Sequence, residues 1–351
     1  MTGSAQQHGA DRITVPLHFM CPAPLIWPEL ASGEGIADDR LAALCRKPVE
    51  CWVLRSYYHL RPLAKTVSLG PDLRPDRVNI ANVYDLGRRQ RLNTCFVATT
   101  QGDGYRSALG NFNIRQNGLE PDSPAQGWVP IWMQPGIRPR GARRGNNVTR
   151  AAYRGHPLNL IPALRATPFH QALAAEDITF DDGTREHGAV LDWQNYSDVD
   201  AVVAIRDATV EDLHNKPASK LVNAWAAGVP AILGPEPAYR ELRNGPLDYI
   251  EAGSAEEAAQ ALIWLKRNPD RYAAMVHNGL QRAQAFTDAA LTARWVALLN
   301  GPVASAFAAW QARRVAARWR AVISMLMEEP RRKKQYEHER DHGTRLFANP
   351  A

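Results

Sequence analysis

Cysteines are scarce in this sequence, and no apolar segment is long. Four cysteines occur in 351 residues, and they lack the close pairs that are typical of zinc sites. A disulfide framework is not expected in so large a chain with so few cysteines, so we expect buried, reduced thiols in a cytosolic protein. No apolar run reaches the roughly 20 residues that a membrane-spanning helix needs. Prolines interrupt Val15–Trp27, the most apolar early stretch, and no small-residue cleavage site follows it, so we expect no signal peptide. The cysteines are Cys21, Cys45, Cys51 and Cys95.

The positive charge is modest and is concentrated near one end of the sequence. The formal net charge is +6, and 45% of the residues are hydrophobic, as in globular proteins. Gly301–Ala351 contains ten basic and five acidic residues, which is most of the excess. Basic residues indicate nucleic-acid binding only when they are gathered on one surface, so we expect no nucleic-acid partner. The length is typical of two domains.

Short apolar segments alternate with helical patterns along the chain. This alternation predicts an α/β protein with doubly wound parallel sheets that are covered by helices on both faces. Ligands of such sheets bind at the carboxyl ends of the strands, where we expect Asp85, Asp103 and Asn117. The predicted strands of the first half are Ile13–Met20, Glu50–Ser56, Val78–Tyr84, Thr94–Thr100, Phe112–Arg115 and Val129–Met133. Those of the second half are Val148–Tyr153, Ile178–Phe180, Ala201–Ile205, Ala231–Leu233 and Asp248–Glu251, with a helix predicted at Leu158–Ala175.

A turn-rich crossing at Gln134–Arg140 marks the predicted domain boundary. We predict a Rossmann-like domain over 1–135, a second Rossmann-like domain over 136–300, and a C-terminal helix with a basic tail over 301–351. Four arginines follow the boundary, and they either handle anions in a cleft between the domains or are solvated in a linker. These are Arg138, Arg140, Arg143 and Arg144.

The most informative segment is His214–Gly234, HNKPASKLVNAWAAGVPAILG. Pro217 suits the first turn of a helix, Ser219 or the preceding loop can cap that turn, and Gly228 is placed to end the helix in the left-handed conformation. The start of this helix carries Lys216 and Lys220 beside the N–H groups that a first turn leaves without intrahelical partners. Such a helix start favours an anion, with a phosphate or diphosphate as the obvious candidate. The alternative is that both lysines simply face water.

The segment from Lys216 to Glu257 resembles the donor-nucleotide region of glycosyltransferases with the GT-B fold, in which two Rossmann-like domains face a cleft. The family pattern there is K-P-x-x-K-L, a short helix, A-G-x-P-x-I, a turn and a short glutamate-rich helix. This sequence has KPASKL at 216–221, AGVPAI at 227–232, then Glu236 and Tyr239-Arg240-Glu241. The resemblance covers 128–299 well and 13–117 in outline. It implies that domain 1–135 binds an acceptor and that domain 136–300 binds a nucleotide sugar.

The resemblance also implies how the donor is held. Glycosyltransferases of this fold typically need no bound metal, because basic side chains and a helix N-terminus neutralise the departing diphosphate. Arg206, Lys216 and Lys220 are the residues we assign to this task, with the N–H groups of Ser219 and Leu221 completing the cradle. Gly155, after a predicted strand, would let the ligand approach the backbone closely. A UDP- or GDP-linked sugar is the expected substrate, with no other cofactor.

At two positions the sequence departs from the family pattern. Many retaining members have two glutamates flanking the helix, the second of which binds the ribose, and this sequence has Asn215 and Asn223 there. Either the amides bind the sugar hydroxyls, or Glu236 or Glu241 supplies the ribose contact. The stereochemical outcome of the reaction is therefore left open.

An inverting enzyme would need a general base in the first domain. The candidates are Asp103, Asp85 and His59, in that order. The alternative role for each is to cap a turn or to lie on the surface. No metal-ligating set is predicted.

Val303–Met327 has the pattern of an amphipathic basic helix, in which apolar residues alternate with arginines. One interpretation is contact with a membrane surface where a lipid acceptor would lie, at the inner face of the membrane. The favoured alternative is that the helix returns to pack on the first domain, as GT-B chains usually do. Arg331–Lys334 and the residues after it are predicted to form a solvated tail.

The function we predict is transfer of a sugar from a nucleotide-diphosphate sugar to a glycan, lipid or small-molecule acceptor by a cytoplasmic enzyme. Two alternatives stay open at this point. One is a sugar-nucleotide epimerase or hydrolase of the same architecture. The other is a catalytically silent nucleotide-binding or scaffolding protein, which the two asparagines and the lack of an evident base keep open.

Overall fold

Two parallel β-sheets, each in its own unit, organise the structure. The structure is a computed structural model that describes residues 12–87, 91–184 and 193–346. The first unit combines Met1–Trp132 with Asp288–Tyr336. The second unit combines Met133–Thr287 with Glu337–Ala351. These bounds differ from the predicted domains mainly after Thr287, because 288–300 belong to the first unit.

The first unit has a six-stranded sheet. Its strands are β1 (Leu17–Met20), β2 (Val67–Gly70), β3 (Val78–Asn82), β4 (Phe96–Thr100), β5 (Phe112–Arg115) and β6 (Gln126–Trp128). They are all parallel and lie in the order β2-β1-β3-β4-β5-β6, which is a doubly wound arrangement. β1, β3, β4 and β5 are buried along their whole length, as strands between two helical layers are. The predicted α/β class is confirmed for this unit.

The predicted strand Glu50–Ser56 is wrong. After α1 (Asp38–Leu44), Glu50–Leu54 forms a π-helical turn that continues into α2 (Arg55–Leu60). The apolar residues of this segment are buried as expected, but seven residues are too few for periodicity to separate a buried strand from a helix. The Glu50 carboxylate accepts from the backbone N–H groups of Arg46 and Lys47 at 2.9 and 2.6 Å, which stabilises the start of the helix.

The two edges of this sheet also differ from the prediction. The strand beside β1 is β2, a half-buried segment with no strong apolar pattern, which was not predicted. The last strand, β6, ends at Trp128, so the predicted strand Val129–Met133 is wrong and the strand lies just before it.

The second unit has a five-stranded sheet. Its strands are β7 (Arg150–Ala152), β8 (Thr179–Asp181), β9 (Ala201–Ala204), β10 (Ala231–Leu233) and β11 (Ile250–Glu251). They are parallel and lie in the order β11-β10-β9-β7-β8, so this sheet is also doubly wound. All five coincide with predicted strands, although most are shorter. The α/β class with two doubly wound sheets is therefore confirmed.

Six α-helices accompany this sheet in the described residues. They are α3 (Thr167–Ala174), α4 (Val210–Asn215), α5 (Ser219–Ala227), α6 (Pro237–Leu242), α7 (Ala255–Arg267) and α8 (Pro269–Ala283). The helix predicted at Leu158–Ala175 begins only at Thr167. Two short 3₁₀ turns precede it, each with a proline in its first position, because a proline suits a helix start and interrupts a helix interior.

Two of the four boundary arginines hold a buried carboxylate. Asp200, which is fully buried before β9, accepts from Arg140 Nε at 3.0 Å and from Arg144 Nε at 2.7 Å. It also accepts from the backbone N–H groups of Thr149 and Arg150 at 2.8 and 2.9 Å. Arg140 and Arg144 therefore join the starts of β7 and β9, a structural role that the sequence did not predict.

Three helices follow Thr287, namely α9 (Asp288–Leu298), α10 (Ala304–Gln311) and α11 (Val315–His342). Two helices thus stand where one amphipathic helix was predicted over Val303–Met327. The rings of Phe307 and Trp310 pack on Phe96 with centroid distances of 5.4 and 6.1 Å. α11 adds Val322 to a core cluster of the first unit. In the described part of the chain, no helix combines the length and apolar character needed to cross a membrane.

Candidate functional site

The second sheet changes winding direction between β7 and β9. The connection after β7 leads to β8 on one side of this point, and the connection after β9 leads to β10 on the other side. Ligands of doubly wound sheets bind in the crevice that such a switch point opens at the carboxyl edge. Gly155 follows β7, and Arg206 follows β9. The two loops are joined directly, since Ile161 N donates to Ile205 O and Asp207 N donates to Asn159 O, both at 3.0 Å. Two predicted donor-site positions from distant parts of the sequence therefore meet at one edge.

Helix α5 begins at this same edge. It starts at Ser219 and ends at Gly228, whose φ of +68° is the left-handed conformation predicted there. Ser219 is the first helical residue rather than the cap, and the N-cap residue, Ala218, makes no side-chain cap hydrogen bond. A helix start of this kind suits an anion, and the ligand contacts assigned to the N–H groups of Ser219 and Leu221 stay predictions.

The two predicted lysines have different surroundings. Lys216 Nζ lies 3.1 Å from Asp212 Oδ1, so one carboxylate already balances its charge. Lys220 Nζ lies 5.3 Å from the centroid of the Tyr153 ring, within the range of a cation–π contact. This contact sets the first turn of α5 against the end of β7. Lys220 is thus placed at the switch point, beside the end of β7.

The position of Tyr153 also explains why residue 155 is a glycine. The side chain is 1% exposed, and a Cβ atom at position 155 would lie 2.6 Å from Tyr153 Oη. Any larger residue would displace the phenol, so Gly155 is needed for packing whether or not a ligand approaches it. Burial raises the pKa of Tyr153 to about 12, so the phenol is neutral and can donate a hydrogen bond.

Arg206 and Glu236 form a buried ion pair. Arg206 is 6% exposed and Glu236 is fully buried, and Arg206 Nε donates to Glu236 Oε1 at 2.8 Å. A second guanidinium nitrogen binds the other carboxylate oxygen. Burial opposes the charge of Arg206, but the Glu236 carboxylate and nearby Tyr239 hold its pKa well above the ordinary value. The pair ties the loop after β9 to the loop after β10, and the diphosphate and ribose roles assigned to its members stay predictions.

The remaining predicted donor contacts lie on helices around this edge. Asn215 ends α4, and its side-chain amide donates to Glu211 O at 3.2 Å. Asn223 lies in α5, and its Oδ1 accepts from the backbone N–H of Gln134 at 3.2 Å. Glu241 is half-buried in α6. Their predicted contacts with the nucleotide or sugar stay predictions.

The first unit brings two of the three candidate bases to one edge. Asp85 follows β3 and Asp103 follows β4, so both lie at the carboxyl edge of the first sheet. Asp103 is exposed, and its Oδ1 accepts from Gln116 Nε2 at 2.7 Å. Burial raises the pKa of Asp85, which moves this carboxyl toward the range that suits a general base. Asp85 also lies at the switch point between β1 and β3, so the geometry favours it over Asp103.

His59 lies apart from these two carboxylates. It is near the end of α2, and the backbone bond from Ile13 N to Leu63 O places this region beside the amino end of β1. Its ring stacks on Trp132 with centroids 4.4 Å apart, and Arg55 Nε donates to its Nε2 at 3.4 Å. Burial lowers the pKa of His59 to about 4, although Asp288 acts in the opposite direction. The structure does not bring His59 together with Asp85 and Asp103.

Two residues at the carboxyl edge of the second sheet, Tyr153 and Arg154, were not predicted from the sequence. Tyr153 gave no signal other than its position at the end of a strand before Arg154-Gly155. Arg154 Nη1 binds Asp181 Oδ2 at 2.9 Å across the ends of β7 and β8, a pairing 27 residues apart that no local pattern indicates. Within the described residues, no group of three or more His, Cys, Asp or Glu side chains could hold a metal ion.

No protein-family model matches the chain, and no curated protein matches it in sequence. Among solved structures, it is similar to HepE from Anabaena in complex with UDP, with 11% identity, a TM-score of 0.48, and coverage of 84% of this chain and 100% of that one. Sucrose-phosphate synthase from Thermosynechococcus elongatus is 13% identical, with a TM-score of 0.45 and coverage of 65% and 74%. TarM is 8% identical, with a TM-score of 0.44, and the chain spans 55% of its length with 64% of its own.

Proposed function

We propose that the protein is a glycosyltransferase that binds a UDP- or GDP-linked sugar at the carboxyl edge of the second sheet and needs no metal. The observation that carries the proposal is the contact between Lys220 and Tyr153. It places an ammonium and the first turn of α5 at the switch point between β7 and β9. The KPASKL motif that resembles the donor region of GT-B glycosyltransferases forms this same helix start.

The chemistry of the leaving group fits this arrangement. In glycosyl transfer the bond between the anomeric carbon and the diphosphate oxygen breaks, and negative charge grows on the diphosphate. Donors that are fixed in advance stabilise such developing charge most effectively. Lys216, Lys220 and the N–H groups of Ser219 and Leu221 would supply them, and each charge-assisted hydrogen bond contributes about 1.5–3 kcal/mol.

The acceptor would bind at the carboxyl edge of the first sheet. Its hydroxyl oxygen forms the new bond to the anomeric carbon, and in an inverting reaction the hydroxyl proton passes to a base. Asp85 is the proposed base, because its pKa is raised and it lies at the switch point of this sheet. Asp103 is the second choice.

A lipid acceptor would account for peripheral membrane contact and for a location at the inner face of a membrane. Both of these stay predictions, as do the cytoplasmic location and the absence of a nucleic-acid partner. A glycan or a small-molecule acceptor is compatible with the same site chemistry.

One observation favours the silent nucleotide-binding alternative. Asn223, which stands where many retaining relatives have a ribose-binding glutamate, accepts from the backbone of Gln134. Glu236, the other ribose candidate, is fully buried and bound to Arg206. A protein with this arrangement could hold a diphosphate without transferring a sugar.

Titration calorimetry with UDP, GDP and their sugars tests the proposal. We expect one nucleotide to bind, its sugar conjugate to bind at the same site, and an acceptor mixture to release the nucleotide from the conjugate. Binding without turnover would favour the silent alternative. Release of the free or epimerised sugar without an acceptor would favour the hydrolase or epimerase. Failure of every nucleotide to bind would overturn the proposal.

A further inference from the structure

Helix α11 exposes a line of four large apolar side chains. Val315, Trp319, Ile323 and Met327 are 68%, 51%, 56% and 64% exposed, and they follow one another at intervals of four residues. We call them the α11 stripe, and it runs for about 18 Å along the helix. In the described part of the chain, the other exposed large apolar residues lie singly on separate segments. Isolated exposed apolar residues are ordinary on protein surfaces, but a continuous line of them marks an interaction site.

The packing of α11 does not depend on the stripe. A neighbouring side of the helix carries Val322, which is buried in a core cluster of the first unit, and Met325 and Leu326 pack against the same cluster. The Glu329 carboxylate accepts from Tyr105 Oη at 2.5 Å and from the backbone N–H of Ala108 at 2.6 Å. These contacts fix the rotation of the helix about its axis. The stripe is thereby presented to solvent.

Basic residues border the stripe along the edge that lies farther from the core cluster. At 100° per residue, Arg320 and Arg331 lie within about 40° of Met327 around the helix axis, along the same edge of the stripe, and both are exposed. Arg313 and Arg314, also exposed, precede the first turn. Glu328 lies on the side away from the stripe, where it binds Arg332 at 2.7 Å. An apolar line with cations beside it is complementary to a surface that is apolar within and anionic at its boundary.

We propose that the α11 stripe docks the protein on an anionic lipid membrane. Trp319 and Ile323 would enter the boundary between headgroups and acyl chains, and Arg320 and Arg331 would lie against the lipid phosphates. A second copy of the chain is a poorer occupant. A symmetric contact through the stripe would bring the same arginines of both copies together, and like charges repel.

Vesicle co-sedimentation of the full chain, without nucleotide or sugar, tests this surface. The probes are vesicles of phosphatidylcholine alone and vesicles containing 30% phosphatidylglycerol. We expect binding to the anionic vesicles, weakening as salt is raised. The double variant Trp319→Gln/Ile323→Gln should bind at least tenfold more weakly. Arg320→Gln/Arg331→Gln should lose about fivefold for each arginine removed.

Trp264→Gln is the matched control, because Trp264 is 44% exposed on α7 of the second unit. It should bind the anionic vesicles as the unaltered protein does. Circular dichroism should show the same helix content in all variants, since the replaced side chains lie in solvent. Absence of binding to anionic vesicles, or unchanged binding by Trp319→Gln/Ile323→Gln, would overturn the proposal. Loss of self-association in that variant, seen by light scattering and without any vesicle binding, would assign the stripe to a protein interface instead.

The two proposals are tested separately. Vesicle binding requires no donor nucleotide, and nucleotide calorimetry requires no lipid, so the failure of one experiment leaves the other proposal standing.

Discussion

The ammonium group of Lys220 lies 5.3 Å from the centroid of the Tyr153 ring. A residue at the start of α5 is thereby held against a residue at the end of β7, although 67 positions separate them in the sequence. The ring is 1% exposed and cannot move aside without disturbing its surroundings. The contact therefore fixes where a cation stands at the switch point of the second sheet, and the first prediction follows from it.

Replacing Lys220 with alanine should weaken nucleotide-sugar binding by a factor of about 10 to 100. A charge-assisted hydrogen bond to a diphosphate contributes about 1.5–3 kcal/mol, and 1.4 kcal/mol corresponds to a factor of ten. Titration calorimetry with the nucleotide and its sugar conjugate measures the change. Lys65→Ala, which removes an exposed lysine from the first unit, is the control and should bind normally. Equal affinities of the two variants would remove Lys220 from the site.

The rate of transfer should depend on the ionisation of Asp85. Burial raises the pKa of this carboxyl, and a base acts only when it is deprotonated. We therefore expect kcat/KM to rise with pH through a pKa above the ordinary aspartate value of about 3.9. Asp85→Asn should lower kcat by about 10² to 10⁴ and abolish this rising limb.

Asp103→Asn is the comparison for that experiment, since Asp103 lies at the same sheet edge but is exposed. It should retain the rising limb. A pH profile that disappears in Asp103→Asn and persists in Asp85→Asn would restore the order of candidates that the sequence suggested.

The start and end of α5 could be predicted because their determinants are local. Pro217 and Gly228 act on the backbone of their own turns, and the structure has the helix between them. The pairing of Arg206 with Glu236 could not be predicted. Thirty residues separate them, and only the neighbouring positions of β9 and β10 in the sheet bring them together.

The C-terminal helices show a different limit of the sequence. Val322 and Ile323 are adjacent and equally apolar, yet the first is 8% exposed and the second 56%. Helical periodicity identifies a broad apolar side, but the cluster that Val322 joins comes from strands and loops of the first unit. The apolar pattern in the sequence therefore includes residues of two sides of the helix, one packed in the core and one exposed to solvent.

Activity should survive chelation of divalent metals. The proposed cradle neutralises the diphosphate with Lys216, Lys220 and the N–H groups of α5, which do not depend on a metal ion. We expect initial rates in 5 mM EDTA within about twofold of those in magnesium, a range that reflects ordinary ionic effects on charged sites. Complete loss of activity in EDTA that manganese restores would show that a metal supplies the charge instead.

The stability of the second unit should depend on the ionisation of Asp200. Burial acts to raise the pKa of this carboxyl, but hydrogen bonds from Arg144, from the Thr149 and Arg150 N–H groups and from Arg140 outweigh it and lower the pKa to about 2. Because this value lies below the unfolded value of about 3.9, ionised Asp200 stabilises the fold above that pH by about 2 kcal/mol, and the contribution is lost as the pH falls toward 2.

Asp200→Asn should therefore strongly lower the urea concentration at the midpoint of unfolding at pH 7. The difference in this midpoint between the variant and the unaltered protein should narrow between pH 4 and pH 2. Asp198→Asn is the control, because Asp198 is 45% exposed and its pair with Arg150 at 3.1 Å should contribute less than about 1 kcal/mol. If Asp200→Asn changes the midpoint of unfolding no more than the control does at pH 7, or by an amount that does not vary with pH, a stabilising role for the buried carboxylate would be contradicted.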